Sequence, residues 1–455
     1  MLCQPPICAR WVKSRSTWVH DHTESRSGRR NGSTRIAMIG DDANFDSFVD
    51  ELVGQVLSSS ESSSFPELLR RLPSVPPPDA IASLNRLRRS FPLAHSIIVD
   101  AERSGGGLAN VSRHNQPLGI PHPLDYDWRF DRQTAESLLR EAHKLSSMAR
   151  SMIMIGAPTV AIAGLAEPNP RHVTLLDANS WAVQQLAKMS SKIIALNIDV
   201  LRDPLPPISA PVVITDAPWY PEPIAAFLWA ASQLCELDGY VMASFPSIGT
   251  RPHVVEERES LISRAAENGL KCVAIRPGAI TYETPPFERS AFRACGIMNV
   301  PADWRRGDFL LFRRISAHAT SRPLSVEAGP EWVDIEIHGI RLKVRAPLPF
   351  KFDDPRLRPL IAGDVLPSVS RRDSRRVNAD VWTPTNRIFS CRGRSVFVQI
   401  AHAIACTEEP VTAVTKWLGR DLASAQEIII QEASDQLSSL VHRELAELTD
   451  LERIE

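Results

Sequence analysis

Cysteine is sparse in this 455-residue sequence, and the spacing of the cysteines argues against a fold stabilised by disulfides or by a bound metal ion. The seven cysteines are an odd number, and none of them shows the short paired spacing of a zinc-binding motif. We therefore expect reduced, buried thiols rather than disulfides, as is typical of intracellular proteins. Nothing else in the sequence indicates a metal, so we expect no metal cofactor.

Long apolar runs and an excess of one charge are also missing. No run approaches the roughly 20 apolar residues that span a bilayer, which predicts a soluble, cytoplasmic chain without membrane association. The 52 Lys and Arg residues balance 53 Asp and Glu residues, so the net charge gives no general reason to expect nucleic-acid binding. Nucleic-acid binding by a local basic segment stays open.

The length exceeds what one hydrophobic core normally supports, which predicts two or three domains. We divide the chain into residues 1–37, a basic disordered extension; 38–120, a helical N-terminal region; 121–320, an α/β domain; and 321–455, an α+β C-terminal module. The first segment holds seven Arg and Lys residues against two acids. It is either a nucleic-acid-binding arm or a disordered extension without function. Because Met38 directly precedes the first amphipathic pattern, the true start could lie there.

Four short apolar runs in the middle of the chain each lead to a glycine or an acid. The runs are 151–155, 172–176, 192–196 and 211–214, and the residues at or just beyond their ends are Gly156, Asp177, Asp199 and Asp216. Since parallel strands present their carboxyl ends at the ligand-binding edge of an α/β sheet, we expect these four residues to line one site. Gly156 would let the backbone approach a ligand closely. Asp177, with Asn179 beside it, suits the ribose hydroxyls of a nucleotide-type cofactor.

The fourth run continues into the pentapeptide Asp216-Ala217-Pro218-Trp219-Tyr220. It combines an acceptor-only carboxylate, a proline that removes one backbone donor, and two aromatic rings. These groups suit a planar or amine-bearing substrate. A rigid strand-to-helix turn with a packed Trp would explain the same residues.

The order of these strands and the motif resemble the class I S-adenosylmethionine-dependent methyltransferase fold over about residues 121 to 315. Residues 216–219 are similar to the Asp-Pro-Pro-Trp/Tyr motif of amino-methyltransferases. The resemblance implies a Rossmann-like sheet whose last strand is antiparallel, and a methyltransferase that acts on an amine nitrogen. It implies that S-adenosylmethionine is held by Gly156, Pro158, Asp177, Asn179 and Asp199. It implies that the acceptor is oriented by Asp216, Pro218, Trp219 and Tyr220.

Two alternatives stay open. Branched-chain polyamine synthases are similar in carrying a glycine-acid turn and a related loop on the same fold, so aminopropyl transfer from decarboxylated S-adenosylmethionine is the second interpretation. Gly156 is followed by Ala157 and Pro158 rather than by further glycines, and Ala217 stands where the family usually has proline. The third interpretation is therefore a catalytically silent adaptor that uses the fold to bind a partner.

In the proposed chemistry, Asp216 accepts an N–H of the acceptor amine, and Trp219 stacks on a flat substrate or caps an alkylamine. We expect Asp216 to orient the amine rather than to take up its proton, because an ordinary carboxylate with a pKa of about 4 is a weak base. Ahead of the first strand, Tyr126 and Trp128 alternate with two acids. They form either a cage for a cationic amine or a packed segment in which Asp125 pairs with Arg129.

The C-terminal module is predicted to hold a hairpin over 331–344, a second hairpin over 387–398 that turns at Arg392-Gly393, and helices that begin near Ala401, Val411 and Ala423. This pattern indicates a small winged-helix-like module for binding a partner or a substrate rather than for catalysis. The basic run 371–376 could contact phosphate, or it could be a solvated loop.

Overall fold

The computed structural model describes residues 13–14, 42–59, 63–103, 117–146, 151–166, 172–317, 320–323 and 330–453. Apart from residues 13–14, the extension 1–37 lies outside the described residues, as does Met38. The prediction that this extension is disordered therefore stays a prediction.

The described residues contain thirteen α-helices. They are α1 Asp42–Ser58, α2 Phe65–Arg71, α3 Pro77–Leu87, α4 Leu93–Glu102, α5 Arg132–Leu145, α6 Pro158–Leu165, α7 Ser180–Met189, α8 Pro221–Leu234, α9 Val254–Glu267, α10 Pro286–Ala294, α11 Arg394–Ala405, α12 Pro410–Leu418 and α13 Ser424–Arg453.

The strands in the same ranges form two sheets. They are β1 Lys13–Ser14, β2 Ser151–Ile155, β3 His172–Asp177, β4 Ile193–Asn197, β5 Ala210–Thr215, β6 Cys235–Pro246, β7 Leu270–Thr281, β8 Arg306–Arg314, β9 Trp332–Ile337, β10 Ile340–Arg345, β11 Arg358–Pro359, β12 Val381–Trp382 and β13 Ile388–Ser390.

The central sheet has seven strands in the order β4-β3-β2-β5-β6-β8-β7. Strand β8 runs antiparallel to both β6 and β7, whereas the remaining neighbours pair in parallel. This strand order with one antiparallel strand is that of the class I methyltransferase fold. The predicted α/β, Rossmann-like architecture is confirmed.

Side chains on alternate positions of the central strands enter two different cores. In β2, Met152 and Met154 pack with α5, α6 and α7 on one face, and Ile153 and Ile155 pack with α8 and α9 on the other. Such burial on both faces explains why the strands read as continuous apolar runs rather than as alternating ones.

The N-terminal helices α1–α4 form a small hydrophobic core that they share with part of the central domain. Phe65 is fully buried there, and Phe292 and Trp304 of the central domain belong to the same core. The predicted helical character of this region agrees with the structure, and the contact with Trp304 brings the region close to the carboxyl edge of the central sheet.

The C-terminal module is α+β, as predicted, with an antiparallel sheet in the order β1-β9-β10-β12-β13-β11 and helices α11–α13. The hairpin β9–β10 is confirmed, with Ile337 opposite Ile340. The second predicted hairpin is wrong: β13 ends at Ser390, and helix α11 begins at Arg394. Val396, Phe397, Ile400 and Ala401 are all buried, which is the spacing of one helix face rather than of a strand.

A buried ion-pair cluster joins the C-terminal sheet to the segment before α5. Asp125 lies 2.5 Å from Arg341 and 2.8 Å from Lys343, and Asp334 pairs with the same two cations. These two cations hold the pKa of Asp125 well below its usual value although burial acts in the opposite direction. Asp125 therefore links the two parts of the molecule.

No helix in the described ranges combines the length and the apolar composition needed to cross a membrane.

Candidate functional site

One cavity of about 630 Å³ opens at the carboxyl edge of the central sheet. It is lined by all nine residues proposed from the sequence, namely Gly156, Pro158, Asp177, Asn179, Asp199, Asp216, Pro218, Trp219 and Tyr220. They meet because β2, β3, β4 and β5 are parallel neighbours and end at the same edge. Both flanking parts of the chain also contribute to the wall, through Pro76, Pro78 and Asp79 and through residues 367–370.

Gly156 turns the chain from β2 toward α6. Its φ is +64°, in the left-handed region that favours glycine. A Cβ at this position would lie 2.7 Å from the backbone oxygen of Asp216 and 2.9 Å from the ring of Phe227. Glycine is therefore required by the packing of β2 against the Asp216 loop. Pro158 follows as the first residue of α6.

Asp177 ends β3 and lines the cavity, and only one of its two carboxylate oxygens accepts a hydrogen bond from described residues. Its Oδ1 accepts a hydrogen bond from the backbone N–H of Asn179 at 2.8 Å, whereas Oδ2 makes no hydrogen bond to described residues. Burial raises the pKa of Asp177 to about 7, and the Asn179 amide opposes that shift. Ribose hydroxyls could donate to such a carboxylate in its ionised form.

The Asn179 side chain has a structural task beside the cavity. Its Oδ1 caps α7 by accepting from the backbone N–H groups of Trp181 and Ala182 at 3.1 and 3.3 Å. Only the amide nitrogen of this side chain is left for a ligand. Asp199 is similarly engaged, because its Oδ1 accepts from the Leu201 amide at 3.0 Å, and burial raises its pKa.

Asp216 follows β5 and is held by two hydroxyl groups that the sequence did not reveal. Its Oδ1 accepts from the Tyr282 hydroxyl at 2.6 Å and from the Ser244 hydroxyl. Its Oδ2 makes no hydrogen bond to described residues. Burial raises the pKa of Asp216 to about 7, and the two hydroxyls act in the opposite direction. Our expectation of an ordinary carboxylate is therefore wrong, because Asp216 can hold a proton near neutral pH.

Aromatic rings form the wall next to Asp216. Tyr282 meets Trp219 edge to face, with ring centroids 5.1 Å apart, and packs on Phe130 at 4.9 Å. The backbone oxygen of Trp219 accepts a hydrogen bond from Arg251 at 3.1 Å. These contacts hold the indole of Trp219 in one orientation beside the carboxylate.

The two acids ahead of α5 are already paired and do not form an open cage. Asp127 makes a two-point ion pair with Arg129, at 2.9 and 2.7 Å, and Asp125 pairs with the C-terminal sheet. The predicted pair of Asp125 with Arg129 is thus wrong. Arg129 instead pairs with Asp127, two residues before it in the chain, whereas Asp125 pairs with Arg341 and Lys343 of the C-terminal module.

The C-terminal module reaches the motif itself. The Arg371 guanidinium lies 3.9 Å from the centroid of the Tyr220 ring and 3.5 Å from Glu222 at the start of α8. Residues 367–370, directly before it, line the cavity. The module therefore helps to shape the site. Arg371, which belongs to the basic run, contacts Tyr220 and Glu222 of this same chain.

The sequence also missed the charged and aromatic residues of the far wall, Glu288, Trp304 and Arg305, which line the same cavity. Glu288 lies on α10, a helix between β7 and β8 that we had not predicted, and the other two lie just before β8. No local pattern marks them, because only the β7–β8 hairpin places them opposite Trp219. Within the described ranges, no group of three or more His, Cys, Asp or Glu side chains is placed to hold a metal ion.

No family model matches the chain, and no curated protein matches it. Among solved structures, it is similar to the branched-chain polyamine synthase from Thermus thermophilus in complex with N4-aminopropylspermidine and 5'-methylthioadenosine. The identity is 16%, covering 63% of this chain and 91% of that one, with a TM-score of 0.46. It is also similar to the N-methyltransferase NodS from Bradyrhizobium japonicum in complex with S-adenosyl-L-homocysteine, at 15% identity over 45% and 97% of the two chains, with a TM-score of 0.30. The fold assignment rests on this chain's own strand order.

Proposed function

We propose that this chain is an S-adenosylmethionine-dependent transferase that alkylates an amine nitrogen, most simply a methyltransferase. The observation that supports it best is the position of Asp216, whose Oδ1 is fixed by Tyr282 and Ser244 while its Oδ2 has no hydrogen-bond partner among the described residues. Oδ2 is free to accept an N–H from an amine that lies against Trp219.

The residues of the first strand ends fit the cofactor. Asp177 offers Oδ2 to the ribose hydroxyls, and Gly156 at the turn after β2 lines the same cavity. Asp199 and Asn179 line the same cavity. When bound, the cofactor would supply an electrophilic carbon on a sulfonium, so the protein mainly has to align a nitrogen lone pair with it.

Asp216 would act as both an orienting group and a proton acceptor. With the transferred carbon supplied by the cofactor and sulfur as the leaving group, Asp216 would accept an N–H of the acceptor nitrogen, take up the proton that this nitrogen loses and pass it to solvent. A pKa of about 7 suits this step, since a general base works best when its pKa lies near the working pH.

The test measures binding and transfer separately. Calorimetry with S-adenosylmethionine, S-adenosylhomocysteine and decarboxylated S-adenosylmethionine shows whether a cofactor binds and which one is preferred. Mass spectrometry of mixtures with candidate amines then identifies the transferred group: a gain of one methyl group supports methyl transfer, and a gain of one aminopropyl group supports the alternative reaction. If none of the three ligands binds, the proposal is wrong. Cofactor binding without any product would favour the silent adaptor.

A further inference from the structure

An arginine side chain is enclosed by three tryptophan rings in the wall of the cavity. The guanidinium carbon of Arg305 lies 5.0 Å from the ring centroids of Trp128 and Trp304 and 5.4 Å from that of Trp219. The rings come from the segment before α5, the loop before β8 and the motif after β5. Cation–π contacts of this kind fix the plane of the guanidinium.

Glu288 engages one nitrogen of this guanidinium and leaves another open. Nη2 of Arg305 donates to Oε1 of Glu288 at 2.5 Å, and Oε2 of Glu288 accepts from Nε1 of Trp128 at 3.4 Å. Nε of Arg305 is buried without a hydrogen bond, whereas Nη1 has no partner among the described residues and is not buried. Since the side chain is 15% exposed and lines the cavity, Nη1 is a fixed donor available to a ligand.

This donor selects for an anionic group. A guanidinium is a cation, and its N–H groups form strong charge-assisted hydrogen bonds with a carboxylate. An acceptor that carried only ammonium groups would offer Nη1 of Arg305 no hydrogen-bond acceptor. An acceptor with both an amine and a carboxylate would satisfy the two sites together.

We propose that Arg305 binds a carboxylate of the acceptor, so that the substrate is an amino acid or a similar zwitterion rather than a polyamine. The inference rests on the proposed function, because it takes Trp219 and Asp216 as the place of the acceptor nitrogen. It adds the chemical class of the acceptor, which the motif alone does not give.

The experiment compares amines that differ only in the carboxylate. The pairs are ornithine and putrescine, lysine and cadaverine, and arginine and agmatine, each tested with wild-type protein and saturating cofactor. We expect kcat/KM to be about 10- to 100-fold higher for the carboxylated member of at least one pair, the range set by hydrogen bonds to charged groups. Arg305→Gln should remove this preference, and Arg305→Lys should retain part of it. Arg313→Gln, at a half-exposed arginine outside the cavity, is the control and should behave like wild type.

Equal or faster transfer to the decarboxylated amines by the wild-type protein overturns the inference, and so does the absence of transfer to every carboxylated member. This comparison needs no variant, so it holds even if Arg305→Gln fails to fold. The Arg305→Gln variant could instead lose affinity for S-adenosylmethionine but not for its decarboxylated form, with its acceptor preference unchanged. That result would show that Arg305 binds the carboxylate of the cofactor, and it would also overturn the assignment. Lack of cofactor binding by the wild-type protein overturns the proposed function itself, whereas cofactor binding without a carboxylate preference overturns only this inference.

Discussion

The hydroxyl oxygen of Tyr282 lies 2.6 Å from Oδ1 of Asp216, although 66 positions separate the two residues in the chain. Asp216 follows β5, and Tyr282 follows the edge strand β7, on the other side of β6 and β8. The contact therefore depends on the register of the antiparallel β7–β8 pair. It fixes one carboxylate oxygen and leaves the other for a ligand.

Replacing Asp216 by asparagine should remove activity while leaving cofactor binding nearly unchanged. Asn keeps the shape of the side chain but cannot take up a proton, and general-base contributions are about 100- to 10,000-fold. We expect a fall of that size in kcat, with the Kd of S-adenosylmethionine within about twofold of wild type. Asp238→Asn, at a surface acid that is 70% exposed, is the matched control. Full activity in the Asp216 variant would exclude a direct role for this carboxylate.

Tyr282→Phe should shift the pH dependence of the reaction. In the wild type, Asp216 has a pKa of about 7, so kcat/KM should rise with pH through that value as the carboxylate forms. The Tyr282 hydroxyl lowers this pKa, and its loss should move the rising limb to higher pH. At pH 7 we expect kcat/KM to fall about tenfold, the typical cost of a hydrogen bond to a charged group. Tyr240→Phe, in the same sheet and outside the cavity wall, should leave the profile in place; an unshifted profile in Tyr282→Phe would contradict the assignment.

Asp177→Asn should weaken cofactor binding at pH 8. A ribose hydroxyl that donates to a carboxylate loses about 2 kcal/mol without it, or roughly 30-fold in Kd. Because burial raises the pKa of Asp177 to about 7, wild-type affinity should also strengthen as pH rises through 7, whereas the variant should show a flatter profile. Calorimetry at several pH values measures both effects. An unchanged Kd would remove Asp177 from the site.

Gly156→Ala should destabilise the protein more than Gly278→Ala does. Both glycines have a positive φ, of 64° and 62°, so both variants carry the backbone penalty of about 1 kcal/mol. Only at position 156 would the new Cβ meet backbone and ring atoms, since nothing lies within 4 Å of a Cβ at position 278. We expect a further 1 to 3 kcal/mol for the crowded site, measured as the difference in free energy of unfolding in urea. Equal losses in the free energy of unfolding would show that the Asp216 loop can move away from a Cβ at position 156 without cost.

Most of the central sheet followed from local patterns. The apolar runs predicted over 151–155 and 172–176 agree with β2 and β3 as observed. These elements are legible because buried parallel strands are short apolar runs. The second C-terminal hairpin was wrong because Val396, Phe397 and Val398 of α11 are β-branched and aromatic residues, which strands favour.

The sequence by itself determined where the strands follow one another along the chain and which residues stand at their ends, since both depend on neighbouring residues in the chain. Only the tertiary structure decided which groups face them. Burial raises the pKa of Asp216, and Arg305 lies among the rings of Trp128, Trp219 and Trp304. The cavity is completed by the segment before α3 together with Pro78 and Asp79, and by residues 367–370. Burial and contacts across a sheet depend on long-range register and packing, which no local pattern of residues records.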